Sequence, residues 1–248
     1  MCNFFSFVTD PVNHPAEYYY FDWEYRKAHM EEDGADSHSH ICSHFNLNED
    51  VCNKYEYNPL TKMFTVDQIN SNRDDSEAAE KWANRQDFKE IVEPLIIKPI
   101  VKPFELPKVE QVTDEQIGWL KDWASVRASA WASVGDSVRA SVRASVWDLV
   151  WASVRASVWA SVWDLVWASV RASVGDSVGA SVWASVRASA WAYVSAFFAI
   201  DYEHDFSSAV KLWEAGLVPS FDGRTWRLHN GEDAKIIYEW TPDKEREE

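Results

Sequence analysis

The chain has 248 residues, with 24 Lys plus Arg against 40 Asp plus Glu, for a net charge of −16. That length holds one large domain or two small ones whose cores need no staples. The acidic balance argues against a nucleic-acid binder, because phosphate neutralisation needs a basic surface. The charge is uneven: residues 123–194 hold six Arg and four Asp, a net +2, so the remainder carries −18.

Three cysteines, Cys2, Cys42 and Cys52, make no paired disulfide framework and fit a reducing cytoplasm. The opening "MCNFFSFVTDPVNHP" lacks a basic region ahead of its apolar run, so it does not read as a secretory signal. The longest uncharged apolar stretch, "ASAWAYVSAFFAI" at 188–200, is too short to span a bilayer. These features predict a cytoplasmic chain with no membrane span.

Residues 1–94 predict a small α+β module. "NFFSFVT" and "EYYYFDW" are aromatic runs of strand propensity separated by the turn-forming "DPVNHP". "DWEYRKAHMEE" predicts a short helix ended by Asp33-Gly34. "KYEYNPLTKMFTVDQI" predicts a hairpin around Asn58-Pro59. Asp74 followed by Glu77 marks the start of a further helix that Pro94 stops. Residues 95–112 carry Pro99, Pro103 and Pro107, each biasing its predecessor toward extended geometry, and predict a stiff linker or edge strand. Thr113 and Gln116 resemble a capping box opening a helix that runs into the repeat of 113–200. Residues 201–248 predict a helix, "DFSSAVKLWEAGL", with Gly216 as its C-terminal cap. A three-stranded meander follows, with type I′ turns at Asp222-Gly223 and Asn230-Gly231.

From Trp123 to Val194 the chain is 18 units of four residues. The first position is Trp, Arg or Gly, and the second is Ala or Asp. The third is Ser except at Leu149, Leu165 and Tyr193, and the fourth is Val except at Ala130 and Ala190. Trp, Arg and Gly share no chemistry but are single-base neighbours in their codons, as are the alternatives at the other positions. A twelve-nucleotide tandem expansion explains this, and so does a first column that faces solvent and tolerates any residue. In an α-helix four residues turn about 400°, so each column drifts about 40° per unit and circles in about nine units. A single straight helix, roughly 108 Å long, would put Trp on every side. Shorter helices keep a face, and Gly135-Asp136 and Gly175 to Gly179 are the natural breaks. The predicted fold is therefore α+β, with the repeat as packed α-helices burying Val and Ala and leaving Trp and Arg at seams and surface. The alternative is a β-solenoid with four-residue sides.

Candidate chemistry is sparse. "HSHICSH" sets His38, His40, Cys42 and His44 at alternate positions, with Cys52 beyond, and imidazole and thiolate are zinc's preferred ligands. On a strand all four share a face; on a helix only His40 and His44 do. The competing reading is a surface helix capped by Asp36 or Ser37. Cys2 would become an N-terminal nucleophile if Met1 were removed, against the commoner fate of a buried strand cysteine. No GxGxxG, P-loop, GxSxG or HExxH motif occurs in the sequence. In the repeat, Trp147, Trp151, Arg155, Trp159, Trp163, Trp167 and Arg171 are the candidate interaction surface. Trp interleaved with Arg could stack bases, but the net charge opposes that, and cation–π packing between neighbours is the simpler account.

The "[WRG][AD]SV" array, ending in "WAYVSAFF" and followed by "LWEAGLVPSFDGRTWRLH", together with "DSHSHI" at 36–41, resembles tetrapeptide-repeat proteins of tailed bacteriophages and gut-bacterial genomes. That group carries no established activity, so the resemblance transfers no catalytic residue; it implies a phage or prophage context and a bacterial cytoplasm. Residues and resemblance together predict a non-enzymatic interaction or scaffold protein with a protein partner, homo-oligomerisation being open. The alternative is a zinc-binding regulator or enzyme using the His38–His44 cluster.

Overall fold

The computed structural model describes residues 4–29, 36–130, 134–146, 148–174 and 179–242. In chain order the elements are β1 (Phe5–Asp10), β2 (His14–Tyr19), α1 (Trp23–Ala28), α2 (His38–His44), β3 (Asn53–Asn58), β4 (Met63–Gln68), α3 (Ser76–Ala83), α4 (Asp114–Ala130), α5 (Val134–Arg143), α6 (Asp148–Val154), a π-helical turn (Arg155–Trp159), α7 (Ala160–Val174), α8 (Ala180–Ser195), α9 (Ser207–Glu214), β5 (Val218–Phe221), β6 (Trp226–Asn230) and β7 (Lys235–Trp240). The fold is mixed α+β, with one four-stranded and one three-stranded antiparallel sheet. The chain divides into two compact units, Met1–Lys98 with Arg143–Ser157, and Pro99–Val142 with Val158–Glu248. The repeat region expected at 113–200 is thus shared between both. Among the described residues no helix is long and apolar enough to cross a membrane.

The first unit is built on two hairpins joined edge to edge, in the order β2-β1-β3-β4. Alternation sends Phe5 and Phe7 of β1 and Tyr55 and Tyr57 of β3 to one face, where the register pairs Phe5 with Tyr57 and Phe7 with Tyr55. There Trp82 of α3 lies 4.9 Å from the Phe7 ring and stacks on Tyr18 at 4.3 Å. The opposite face contributes Val8 to a cluster with Phe21, Ile41, Cys42 and Cys52. Asp75 precedes α3 without capping it. Its Oδ1 instead accepts from Thr9 Oγ1, Asn53 Nδ2 and Tyr55 OH, at 3.2, 2.7 and 2.6 Å. That carboxylate satisfies three polar side chains of the central strands. Arg26 is buried with its Nη1 3.8 Å from Asp36 Oδ2, and its Nε donates to the Phe21 carbonyl.

Several expectations change here. α3 ends at Ala83 and does not run on to Pro94; Asn84 Nδ2 and Gln86 Nε2 donate to the Glu80 and Trp82 carbonyls and close it. β2 begins at His14, inside the expected turn, so the β1–β2 connection is only residues 11–13. α1 ends at Ala28 with His29 as its C-terminal cap, short of the stop expected at Asp33-Gly34, which lies outside the described residues.

In the second unit, the Pro-rich segment from Pro99 on is no free linker. Val101 donates from its N–H to Tyr193 OH and accepts from Trp213 Nε1, while Val109 N–H donates to Asn230 Oδ1. The capping box forms as the sequence predicts: Thr113 N–H donates to Gln116 Oε1 and Gln116 N–H to Thr113 Oγ1. Gly216, at φ +77°, ends α9, with Leu217 N–H reaching the Leu212 carbonyl and Gly216 N–H the Trp213 carbonyl. The meander β5-β6-β7 forms, but its turns are not the two-residue type I′ predicted. Asp222 Oδ1 accepts from the N–H groups of Arg224 and Thr225 and holds a four-residue loop open. Residues 231–234 make the second loop.

The repeat is helical, and among its described residues no strand occurs, so the four-residue β-solenoid is replaced by helices. Its Val column is buried at Val134, Val138, Val142, Val146, Val150, Val154, Val158, Val166, Val170, Val182, Val186 and Val194, each at 0–1% exposure. Burying a Val is worth about 1.5–3 kcal/mol, against less than about 0.7 kcal/mol lost to its poor helix propensity. Burial wins. The second column differs from expectation: Ala140, Ala144, Ala152, Ala156, Ala168 and Ala172 are exposed, and among the described residues it is buried only at Ala188 and Ala192. A helix packed along one stripe has room inside for the Val and leaves the residue two places before it turned away.

The breaks also move. Gly135 lies inside α5, and the Ala144–Val146 turn interrupts the helices where no glycine stands. Gly179 does precede α8; Gly175 lies outside the described residues. Gly135 is needed for close approach instead, since a Cβ there would sit 2.9 Å from Trp191 Nε1 and 3.0 Å from its Cδ1. Gly135→Ala gains about 1 kcal/mol of helix propensity but should lose about 1–3 kcal/mol to overpacking against a buried, rigid indole. Urea denaturation of the full chain should show a lower midpoint; a higher one would mean that this contact does not form.

Candidate functional site

The histidine cluster folds as helix α2, capped by Ser37, whose Oγ accepts from His40 N–H at 3.2 Å. It is not a surface helix, because His38, Ile41 and Cys42 are buried. Helical geometry disperses the four candidate ligands. His38 Nε2 contacts the Tyr55 carbonyl at 3.0 Å and its Nδ1 lies 3.3 Å from Asp67 Oδ2, so both ring nitrogens face acceptors. His40 Nε2 is 2.8 Å from Tyr25 OH. His44 packs edge-on against Phe21 and Tyr25. Cys42 turns into the apolar cluster to meet Cys52. Among the described residues no group of three or more His, Cys, Asp or Glu is arranged to hold a metal ion. Cys2 lies outside the described residues.

Cys42 and Cys52 lie in one buried cluster. There Cys52 holds the Cys42 thiol below its ordinary range against burial and the nearby Glu49 carboxylate, while Cys42 and burial push the Cys52 thiol up.

Of the repeat candidates, Trp147 lies outside the described residues. In the first unit Trp151 is buried and Arg155 exposed. The second unit brings the others together. Trp159 and Trp163 stack at 4.8 Å and 21°, and Trp163 and Trp167 at 6.1 Å and 4°. Each ring of this ladder is half-buried, and Arg171 continues its column on the surface. The helical i,i+4 spacing produces the ladder.

The sequence shortlist omitted three residues that α8 adds. The Trp183 ring meets Trp163 edge-on at 6.2 Å, Trp191 packs on Trp159 at 4.5 Å, and the Arg187 guanidinium lies 4.9 Å from the Trp183 ring centre. These belong to the same first column, but which later units meet α7 depends on where the chain turns back. A cleft of about 260 Å³ lies alongside, lined by Gly135, Asp136, Trp183, Arg187, Ala188 and Trp191. Trp183 is 39% exposed and Leu165 of α7 45%.

One further constellation has the hydrogen-bond order of an activated serine. His229 Nδ1 donates to the Ala234 carbonyl at 2.9 Å, which leaves Nε2 to accept from Ser220 Oγ at 2.7 Å. Both residues are 0% exposed, so no substrate reaches the hydroxyl and the pair serves the sheet. Burial holds the His229 imidazole down to about 4.

No protein-family model, curated protein or solved structure matches the chain.

The depressed His229 value makes stability depend on pH with a definite sign. Unfolded, the imidazole takes its proton near 6.5; folded, it stays neutral down to about 4. Its contribution is therefore complete above about pH 6.5 and is lost as pH falls toward 4, amounting to about 3 kcal/mol across that window. His229→Gln keeps an acceptor and a donor without the titration. Between pH 7 and 4.5 the unvaried chain should lose about 2–3 kcal/mol more unfolding free energy than the variant in urea titrations. Equal losses in both would remove the assignment.

Proposed function

We propose that the protein is a non-enzymatic interaction or scaffold protein whose binding surface is the Trp ladder of the second unit. The observation that carries this reading is the half-buried stack of Trp163 and Trp167, edged by the exposed Trp183, with Leu165 exposed on the same helix as the stack. Trp and Arg are the side chains that most often dominate binding energy at protein interfaces, where a large rigid ring loses little entropy on docking. Stacking holds these rings in place before a partner arrives, which lowers the cost of association. The net charge of −16 turns polyanions away. The resemblance to tetrapeptide-repeat proteins of phages and gut bacteria supports a bacterial cytoplasmic setting with a host or phage protein as partner.

The test is capture of a partner from bacterial lysate by the intact chain, followed by affinity measurement with purified components. Trp163→Ala and Trp183→Ala should each weaken binding by about tenfold or more, about 1.4 kcal/mol, with the far-ultraviolet circular dichroism unchanged. Full affinity in the double variant would overturn the reading.

A further inference from the structure

We propose that the cleft beside the Trp ladder binds a free aromatic α-amino acid, its ring against the Trp183 and Trp191 indoles, its carboxylate on Arg187 and its ammonium on Asp136. The site lies wholly within the second unit, between the first turn of α5 and one stripe of α8. It goes beyond the interaction role. It shares only Trp183 with the surface proposed there and needs no partner protein, so either reading can fail alone.

Size, lining and charge converge on that ligand. At about 260 Å³ the cleft falls just below the range of pockets for drug-sized ligands, about 300–1,000 Å³, which suits one amino acid. Trp183, Arg187 and Trp191 stand at successive four-residue steps along α8 and so form one stripe. Gly135 lets α5 approach that stripe, since a Cβ there would sit 2.9 Å from Trp191 Nε1. Trp191 packs on Trp159 at 4.5 Å and Trp183 meets Trp163 at 6.2 Å, so the apolar walls are set before a ligand enters.

Charge narrows the class further. Arg187 is the one charged residue of α8, and it and Asp136 are both exposed and line the same cleft. They do not pair with each other. Among the described residues Asp136 makes no ion pair or hydrogen bond, and Arg187 has only the Trp183 ring, 4.9 Å away, as a charge partner. The guanidinium keeps a fork of N–H donors that fits a carboxylate, and the Asp136 carboxylate is acceptor-only and fits an ammonium. A ligand with a single charge would meet one attraction and one repulsion here. A zwitterion meets two attractions, and an aromatic ring suits walls made of indole.

The experiment is titration of the full-length chain with L-phenylalanine, read by its Trp fluorescence and by calorimetry. Binding should saturate. Phenylpropionate, which lacks the ammonium, phenethylamine, which lacks the carboxylate, and L-leucine, which lacks the ring, should each bind about fivefold or more weakly. Arg187→Gln and Asp136→Asn should each weaken L-phenylalanine binding by about fivefold to tenfold, with circular dichroism unchanged, because both positions are exposed. The losses should also cross: Asp136→Asn leaves phenylpropionate binding equal or tighter, and Arg187→Gln does the same for phenethylamine. No saturable signal, affinity unchanged in both variants, or any of the three analogues binding as tightly as L-phenylalanine would each overturn the proposal. The analogue series on the unvaried chain decides the matter even if a variant folds poorly.

Discussion

A unit of four residues overshoots an α-helical turn by about 40°, so a buried column slides off its face after a few copies. The repeat contains 18 copies, far more than any one face can serve. The helices answer by being short. α5 buries Val134, Val138 and Val142 and stops; α8 carries its fourth-position residues over four units, all buried. Between Val154 and Val158 the chain takes a π-turn, which spreads its turn over more residues and takes back rotation that the preceding units accumulated. The Val column stays inside because the helix is repeatedly restarted or rewound, and the ladder depends on the same restriction. Three Trp rings remain in contact from the end of the π-turn into α7, and their separation grows from 4.8 to 6.1 Å over two steps.

α8 shows what happens where a repeat helix has neighbours on every side. From Ser185 to Ser195 only Arg187 escapes burial, and an all-round buried helix cannot remain a plain repeat. Trp123 Nε1 donates to Ser189 Oγ, Ser189 Oγ to the Ser185 carbonyl, and Phe221 N–H to Ser185 Oγ. The repeat's serines thereby become the polar partners that buried donors require. Where Tyr193 replaces Ser, its hydroxyl holds Val101 N–H and its ring stacks on Trp213 at 5.4 Å and 14°. Leu165 is also a departure from Ser, yet it is exposed. Departures from the unit are thus not all structural, which fits a pattern copied in DNA and then modified where packing required it.

The first unit solves a different problem, that of polar groups within an aromatic sheet. Asp75 sits at the start of α3 but turns its carboxylate to the central strands, so the helix gives up a side-chain cap and the sheet gains three hydrogen bonds. A buried unsatisfied hydroxyl or amide costs about 1–3 kcal/mol, and a lost cap about 1. The sheet takes the carboxylate. The Arg26–Asp36 pair and the Lys54–Glu49 pair place further charge within the same unit, with both Arg26 and Lys54 buried.

Sequence alone determined the features that rest on neighbours in the chain. The capping box at Thr113 and Gln116, the glycine cap at Gly216, the Ser37 cap, the hairpin around Asn58-Pro59 and the three-stranded meander all follow from contacts a few residues apart. So did the inward Val column, because each Val stands in the same local context. What only the tertiary structure decided was every feature that depends on which distant segment arrives. Trp183, Trp191 and Arg187 join the ladder because α8 packs on α7. Gly135 is required by an indole 56 positions away rather than by a turn. Ser220 finds His229 through strand register, and Cys42 meets Cys52 because α2 is a helix over β1 rather than the strand that alternate spacing allowed. A repeat makes this limit acute: identical units carry identical local information, so only the fold can tell one Trp from the next.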